Sequence, residues 1–185
     1  TTNETGGYII TNLPVGPYVR VDGTGLSATI AGITVSGDFS FERLTKPDGQ
    51  RVVFNWSQAG QPFNLYWRRA DGTGEVQRLA ESKNDQTTGS FHHNGRVFAF
   101  SERKPDTSSD IMLLSLEGDE ASGWKPGNPT PFLSTPFAER DPAFSPDGKW
   151  LAYDSNESGR DEVYVRPYPG PGGKWQVSTN GGVYP

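Results

Sequence analysis

Residues 141–179 constrain the fold most, because strand-like segments alternate there with residues that favour turns. Residues 150–153, 163–165 and 175–177 are rich in aromatic and β-branched side chains, as strands are. Between strands, Pro146-Asp147-Gly148 is typical of a tight turn: proline fixes φ, aspartate bonds to the backbone, and glycine accepts a positive φ. The stretch of about 40 residues is therefore predicted to form a four-stranded antiparallel sheet.

The same unit recurs twice earlier in the chain. The turn glycines Gly49, Gly95 and Gly148 are each followed by an apolar segment, and they are spaced by about 50 residues, a period typical of propeller blades. The second turn reads His92-His93-Asn94-Gly95, without the proline and the aspartate, and a Gly- and Pro-containing loop is expected over residues 121–129.

These repeats predict an all-β fold, a partial β-propeller of about three four-stranded antiparallel blades preceded by a short β segment. The expected boundaries are residues 1–36 for the N-terminal β segment and 37–84, 85–138 and 139–185 for the blades. Three blades cannot close a ring and would expose apolar blade faces. The chain is therefore expected to be part of a larger parent chain or a homo-oligomer, unless its N-terminal strands cover an open edge.

Composition excludes several classes of function. The net charge of −5 disfavours nucleic-acid binding, which needs a basic surface. The absence of cysteine excludes disulfides, thiolate metal sites and cysteine nucleophiles. No apolar run approaches the roughly 20 residues of a membrane-spanning helix. Neither a Gly-x-Ser-x-Gly elbow nor a glycine-rich phosphate loop before a helix is present, so no catalytic residue is assigned.

The run FSPDGKWLAY (residues 144–153), followed by Ser155-Asn156 and then by DEVYV (161–165), resembles the TolB-type, WD40-like β-propeller repeat. The resemblance extends over residues 39–185. This part of the chain is similar to the propellers attached to bacterial kinases and prolyl oligopeptidases. It implies a propeller module that binds a protein or peptide partner in the periplasm or outside the cell. Residues 1–21 resemble the end of a carboxypeptidase regulatory-like domain; a β-hairpin packed on the next domain is the alternative.

Charged residues at the start of innermost strands are the main candidates for a ligand site. In a propeller the innermost strand lines the central channel, so Glu139, Arg140 and Asp141 would lie at the channel face, and Asp85 falls at the comparable place in the preceding copy. Their carboxylate oxygens could hold a ligand or a cation such as Ca²⁺, with no other cofactor expected. The alternative is that these charges pair with one another on the surface.

Two other groups of residues have a functional and a structural interpretation. His92 and His93, the only histidines, could bind a metal or act as a base, but two neighbours in one turn are better explained as solvent-exposed turn residues, so no metal site is assigned. Seven aromatic residues could form a sugar-stacking face, although their core-like spacing favours packing between blades. They are Trp56, Tyr66, Trp67, Trp150, Tyr153, Tyr164 and Trp175.

Acidic residues that flank the third strand of a copy are predicted to cap turns and to keep strand edges soluble. They are Asp106, Asp110, Asp161 and Glu162. For the whole chain, the preferred hypothesis is a non-catalytic propeller module that binds a protein or other ligand. The alternatives are a fragment of a propeller-type lyase or hydrolase, and a self-assembling surface structural protein.

Overall fold

The computed structural model describes residues 20–30, 33–46, 49–57, 60–71, 73–119 and 121–185, with side chains described from Arg51 onward. These residues form strands and turns and contain no helix long and apolar enough to cross a membrane. The strands make three antiparallel sheets that follow one another in the chain, which we call blades 1, 2 and 3. The predicted all-β architecture is confirmed.

Blade 1 has five strands in the order β1-β2-β3-β4-β5. They are β1 (Arg20–Ile30), β2 (Ile33–Lys46), β3 (Gly49–Trp56), β4 (Asn64–Arg69) and β5 (Gln77–Ala80). The four predicted strands of the first copy correspond to β2–β5, and β1 adds a fifth strand along the free edge of β2. β2 runs through the boundary expected after residue 36, and residues 1–19, with most of the expected regulatory-like segment, lie outside the described residues.

Blade 2 has the path β10-β8-β7-β6, with β9 paired to the far part of β8. The strands are β6 (Gln86–Phe91), β7 (Val97–Lys104), β8 (Ser108–Asp119), β9 (Gly123–Pro126) and β10 (Thr130–Leu133). The expectation of a loop over residues 121–129 is wrong in its middle part. There β8 continues beyond the sheet and forms a hairpin with β9, from Leu116↔Pro126 to Asp119↔Gly123.

Blade 3 has the predicted four strands in sequence order. They are β11 (Glu139–Phe144), β12 (Trp150–Ser155), β13 (Glu162–Pro167) and β14 (Trp175–Gln176). Its first turn has the predicted chemistry: Gly148 has a φ of 69°, and the carboxylate of Asp147 accepts the backbone N–H of Lys149 at 3.1 Å.

The corresponding turn of blade 2 keeps this geometry despite its different sequence. Gly95 has a φ of 60°, and its N–H donates to the carbonyl of His92 at 2.7 Å, as the Gly148 N–H donates to Ser145 at 2.9 Å. The Asn94 side chain accepts the N–H of Arg96 at 2.8 Å, in the role that Asp147 has in blade 3. Asparagine thus replaces aspartate as the acceptor that closes the turn.

Two apolar clusters hold the three blades together, one at each junction. Blades 1 and 2 meet where Val53, Leu65 and Trp67 pack on Phe98, Phe100 and other residues of blade 2. Blades 2 and 3 meet where Ala99, Ile111 and Leu133 pack on Leu151, Tyr153 and Tyr164. Successive residues of β7 therefore face opposite blades, since Phe98 packs in the cluster with blade 1 and Ala99 in the cluster with blade 3.

The innermost strand of blade 3, β11, also meets β6 and β7 of blade 2 through polar contacts. Both β6 and β11 contain a bulge, between Thr88 and Ser90 and between Arg140 and Ala143. Ser90 Oγ accepts the N–H of Phe144 at 2.7 Å, and Ser101 Oγ accepts the N–H of Asp141 at 3.1 Å. These serine hydroxyls satisfy two backbone donors of β11, one within the bulge at Asp141 and one beyond it at Phe144.

Candidate functional site

The innermost strands begin at one end of the blades, and we call this end the strand-entry face. An open groove of about 700 Å³ lies there. Its walls come from four segments: the β3–β4 loop, the connection from blade 1 to blade 2, the β7–β8 turn, and the connection from blade 2 to blade 3. The lining residues are Pro62, Lys83, Asn84, Asp85, Arg103, Lys104, Pro105, Asp106, Ser108 and Pro136. Three prolines give the groove rigid, partly apolar walls.

Of the predicted site residues, Asp85 lines this groove. Its Oδ1 accepts the N–H of Phe63 at 2.9 Å, and its carbonyl accepts the N–H of Arg103 at 2.8 Å. Asp85 therefore fixes the blade connection to both neighbouring blades.

A buried polar network supports the floor of the groove. Glu102 is buried, and its carboxylate accepts hydrogen bonds from Lys104, Gln86 and Asn84. Burial raises the pKa of Glu102, but these three donors outweigh that effect and bring its pKa below the ordinary value. The Glu102 charge is thus compensated within the protein, with Lys104 as its ion-pair partner.

Two other cations at the groove, Lys83 and Arg103, are exposed and form no ion pair with a carboxylate of the described residues. The adjoining turn carries strain at Ser108, a non-glycine residue with a φ of 74°. Beside it, the hydroxyl of Thr107 is buried and has no hydrogen-bond partner within the described part of the chain. This side of the groove therefore combines two exposed cations that no described carboxylate pairs with, a positive φ at Ser108 and a buried hydroxyl without a described partner.

Glu139 does not reach the groove, because it is buried with 1% of its surface exposed. Its carboxylate is hydrogen-bonded to the hydroxyl and the N–H of Thr135. Burial raises the pKa of Glu139, and the charges of Asp110 and Glu157 add to this effect, against the two bonds from Thr135. Glu139 therefore joins the connection from blade 2 to the start of β11.

Arg140 and Asp141 form a second polar cluster, within blade 3. Arg140 Nε donates to Asp154 Oδ2 at 3.2 Å, and its Nη2 donates to Asp161 Oδ1 at 2.5 Å. Burial, together with the carboxyl of Asp141, raises the pKa of Asp154 to about 7. The described residues contain no group of three or more histidine and carboxylate side chains arranged to hold a metal ion.

The two histidines lie at the junction of blades 2 and 3. His93 is exposed as expected, but the expectation is wrong for His92, which is 8% exposed. The His92 ring packs edge-on against Phe144 at 5.1 Å, and its Nε2 lies 3.1 Å from the carbonyl of Gly148. A histidine at this turn position fills the space between two blades, a packing role that a single turn sequence does not reveal.

A polar contact that was not predicted from the sequence occurs at a similar place in each of the three blades. In each blade a buried polar side chain at or near the start of a strand binds a serine just after the outer strand. The serine hydroxyl donates in blades 2 and 3, whereas in blade 1 the contact is with the backbone of the serine. The pairs are Asn64 with Ser82, Asp110 with Ser134, and Glu162 with Ser178. The interpretation of Asp110 and Glu162 as residues that keep strand edges soluble is wrong, because both side chains are buried. The regular position of these serines was the available signal.

The seven aromatic residues divide into three groups. Trp56 and Tyr66 are half-buried in blade 1, where their rings meet edge-to-face with centroids 5.5 Å apart. Trp67, Tyr153 and Tyr164 are buried at the blade junctions, as the packing interpretation predicts. In contrast, Trp150 and Trp175 are 39% and 51% exposed on blade 3, where their rings meet edge-to-face with centroids 5.5 Å apart.

Comparison with solved structures identifies the fold. The chain is similar to the structure of putative TolB from Agrobacterium tumefaciens, with a TM-score of 0.58 and 15% sequence identity. The match covers 70% of this chain. The chain has a TolB-like β-propeller fold. It spans 43% of the length of the putative TolB chain. No family model and no curated protein matches the sequence.

Proposed function

We propose that this chain is a non-catalytic β-propeller module, part of a larger or oligomeric propeller, that binds a protein or peptide at its strand-entry face. The observation that carries the proposal is the groove of about 700 Å³. Its walls are formed by the two connections between blades, the β3–β4 loop and the β7–β8 turn. Such connections are where rigid β scaffolds place their binding residues.

The charges of the groove indicate the kind of contact that a partner makes. Lys83 and Arg103 offer side-chain N–H donors that no described carboxylate occupies, while the exposed Asp106 offers an acceptor. A peptide can thus bind through its own side chains of both signs and through its backbone carbonyls.

The free side of blade 3 supports the larger or oligomeric propeller. In blade 2, Ala99, Ile111 and Leu113 face the next blade. By strand register their equivalents in blade 3 are Ala152, Val163 and Val165, which are only half-buried. With the exposed Trp150 and Trp175 they form an apolar surface like those that close the other two junctions. A further blade, from the same parent chain or from a second copy, fits this side.

The periplasm or the cell exterior is part of the same proposal and rests on the likeness to the putative TolB structure. Fractionation of cells that express the full parent gene, with an antibody raised against this chain, tests it. Recovery in the cytoplasmic fraction alone would contradict this location.

A library of random dodecapeptides displayed on phage tests binding at the groove. We expect selected peptides to bind the wild type and to lose at least about tenfold in affinity on Lys83→Glu or Arg103→Glu, since each reverses a charge in the groove. Lys125→Glu is the matched control, because Lys125 is an exposed lysine on β9, away from the groove. Peptides that bind all these variants equally well would refute the assignment of the groove.

A further inference from the structure

Phe137 is an exposed aromatic residue at the border of the groove. Its side chain is 42% exposed, and it follows Pro136, which lines the groove. Trp150 and Trp175 lie on the free side of blade 3, which a further blade would cover, whereas Phe137 lies in the connection from blade 2 to β11. Single exposed apolar residues are ordinary on protein surfaces, so exposure alone does not mark a binding residue.

Hydrogen bonds fix the backbone around Phe137. Its own N–H donates to Thr135 Oγ1 at 3.2 Å, and the Thr135 hydroxyl donates in turn to the buried carboxylate of Glu139. The N–H of the next residue, Ala138, donates to Asn156 Oδ1 at 3.0 Å. Phe137 is therefore held at the surface by a connection that is tied both to β11 and to the residues after β12, and its exposure does not result from an untethered loop.

The equivalent positions after the other two blades show that the fold does not require an aromatic residue here. The serines that occupy the same place in the three blades are Ser82, Ser134 and Ser178. Three residues beyond them stand Asp85, Phe137 and Gly181. The backbone supports this alignment, because the residue after Asp85 donates its N–H to the carbonyl of Phe63, and the residue after Gly181 donates to that of Asp161. An aspartate and a glycine thus complete the same connection.

The groove beside Phe137 offers both apolar and cationic surface. Its prolines give partly apolar walls, and Lys83 and Arg103 are exposed and form no ion pair with a carboxylate of the described residues. Aromatic residues are enriched at the centres of protein interfaces, where they bury a large apolar area. Because the backbone of Phe137 is already fixed, covering its ring costs less conformational entropy than covering a mobile side chain.

We propose that Phe137 is the apolar anchor of the strand-entry face, and that the partner is a peptide segment that carries a large apolar side chain, aromatic or aliphatic, near an acidic residue. The apolar side chain packs on the Phe137 ring, and the acidic residue meets Lys83 or Arg103 in the adjoining groove. This inference rests on the proposed function, since it names the chemistry of the segment that the groove binds.

Dodecapeptides selected on the wild-type chain test the proposal by titration calorimetry. We expect them to share a large apolar residue at a constant separation from an acidic one. Phe137→Ser should weaken their binding at least about tenfold, whereas Phe137→Leu, which keeps an apolar side chain, should retain most of the affinity. Val76→Ser is the matched control, because Val76 is an exposed apolar residue between β4 and β5, away from the groove.

The outcomes separate this inference from the proposed function. Peptides that lose affinity on Lys83→Glu or Arg103→Glu but bind Phe137→Ser as tightly as the wild type would overturn the role of Phe137 and leave the groove as the binding site. Peptides that bind all three variants equally well would overturn both.

Substitutions in the peptide test the contact on the wild-type chain, whatever the stability of the variants. Serine in place of the peptide's apolar residue should cost at least about tenfold on the wild type and little on Phe137→Ser, since coupled residues are not additive. An apolar residue that serine replaces without loss on the wild type would overturn the inference. Self-association of the chain that Phe137→Ser abolishes would overturn it as well, because a second copy would then cover Phe137.

Discussion

Ser134→Ala tests whether the serine-to-carboxylate contact found in blades 2 and 3 stabilises the fold. Asp110 is buried, with 4% of its surface exposed, and its Oδ2 accepts the Ser134 hydroxyl at 2.7 Å. Its Oδ1 has no hydrogen-bond partner within the described residues. Removing the hydroxyl therefore takes the side-chain donor from a buried carboxylate, a change that costs about 1.5–3 kcal/mol.

For a chain of this size, a loss of about 2 kcal/mol lowers the thermal midpoint by roughly 4–8 °C. Urea unfolding followed by tryptophan fluorescence gives the free energy, and calorimetry gives the midpoint. Thr179→Ala removes an exposed hydroxyl outside the strands and should change stability by less than about 0.5 kcal/mol. In an Asp110→Asn background, Ser134→Ala should cost about 1 kcal/mol, because the acceptor is then neutral. If Ser134→Ala matched Thr179→Ala, the reasoning would be refuted.

Two further substitutions test the turns and the blade junctions. Gly148→Ala should lower the free energy of unfolding by at least about 2 kcal/mol, because a Cβ there would lie 2.3 Å from His92 Nε2. Gly159→Ala, whose Cβ would meet no atom within 4 Å, should cost about half as much. Urea unfolding measures both. Leu151→Ala should cost about 2–5 kcal/mol by opening a cavity between blades 2 and 3. Val177→Ala, at an exposed position, should be nearly neutral; equal losses would contradict the assignment of this junction.

The strands and turns could be predicted from the sequence because their signals are local. Proline, aspartate and glycine mark the turn of blade 3, and the apolar run that follows marks β12. The hairpin of β8 with β9 was missed because Gly123 and Pro126 favour a loop, and only pairing with the extended β8 makes a strand there. The pairing of β1 with β2 likewise depends on the whole sheet.

The candidate site was harder to predict, because burial and partners are set by neighbouring blades. Asp85 lies at the groove, but Glu139 is buried against Thr135, and nothing in the local sequence distinguishes these two acids. The burial of His92 arises from Phe144 in the next blade. The contribution of Arg103 also required the fold, since it comes from the end of β7, about 20 residues from Asp85.

Amide hydrogen exchange with and without a selected dodecapeptide tests the central claim most directly, because it locates the bound peptide on the blades. We expect slower exchange in residues 83–85 and 103–108, which border the groove, and little change in β14 and the exposed side of blade 3. Protection confined to β14 and the strands beside it would contradict a strand-entry binding face, and would indicate instead that the peptide occupies the free side of blade 3.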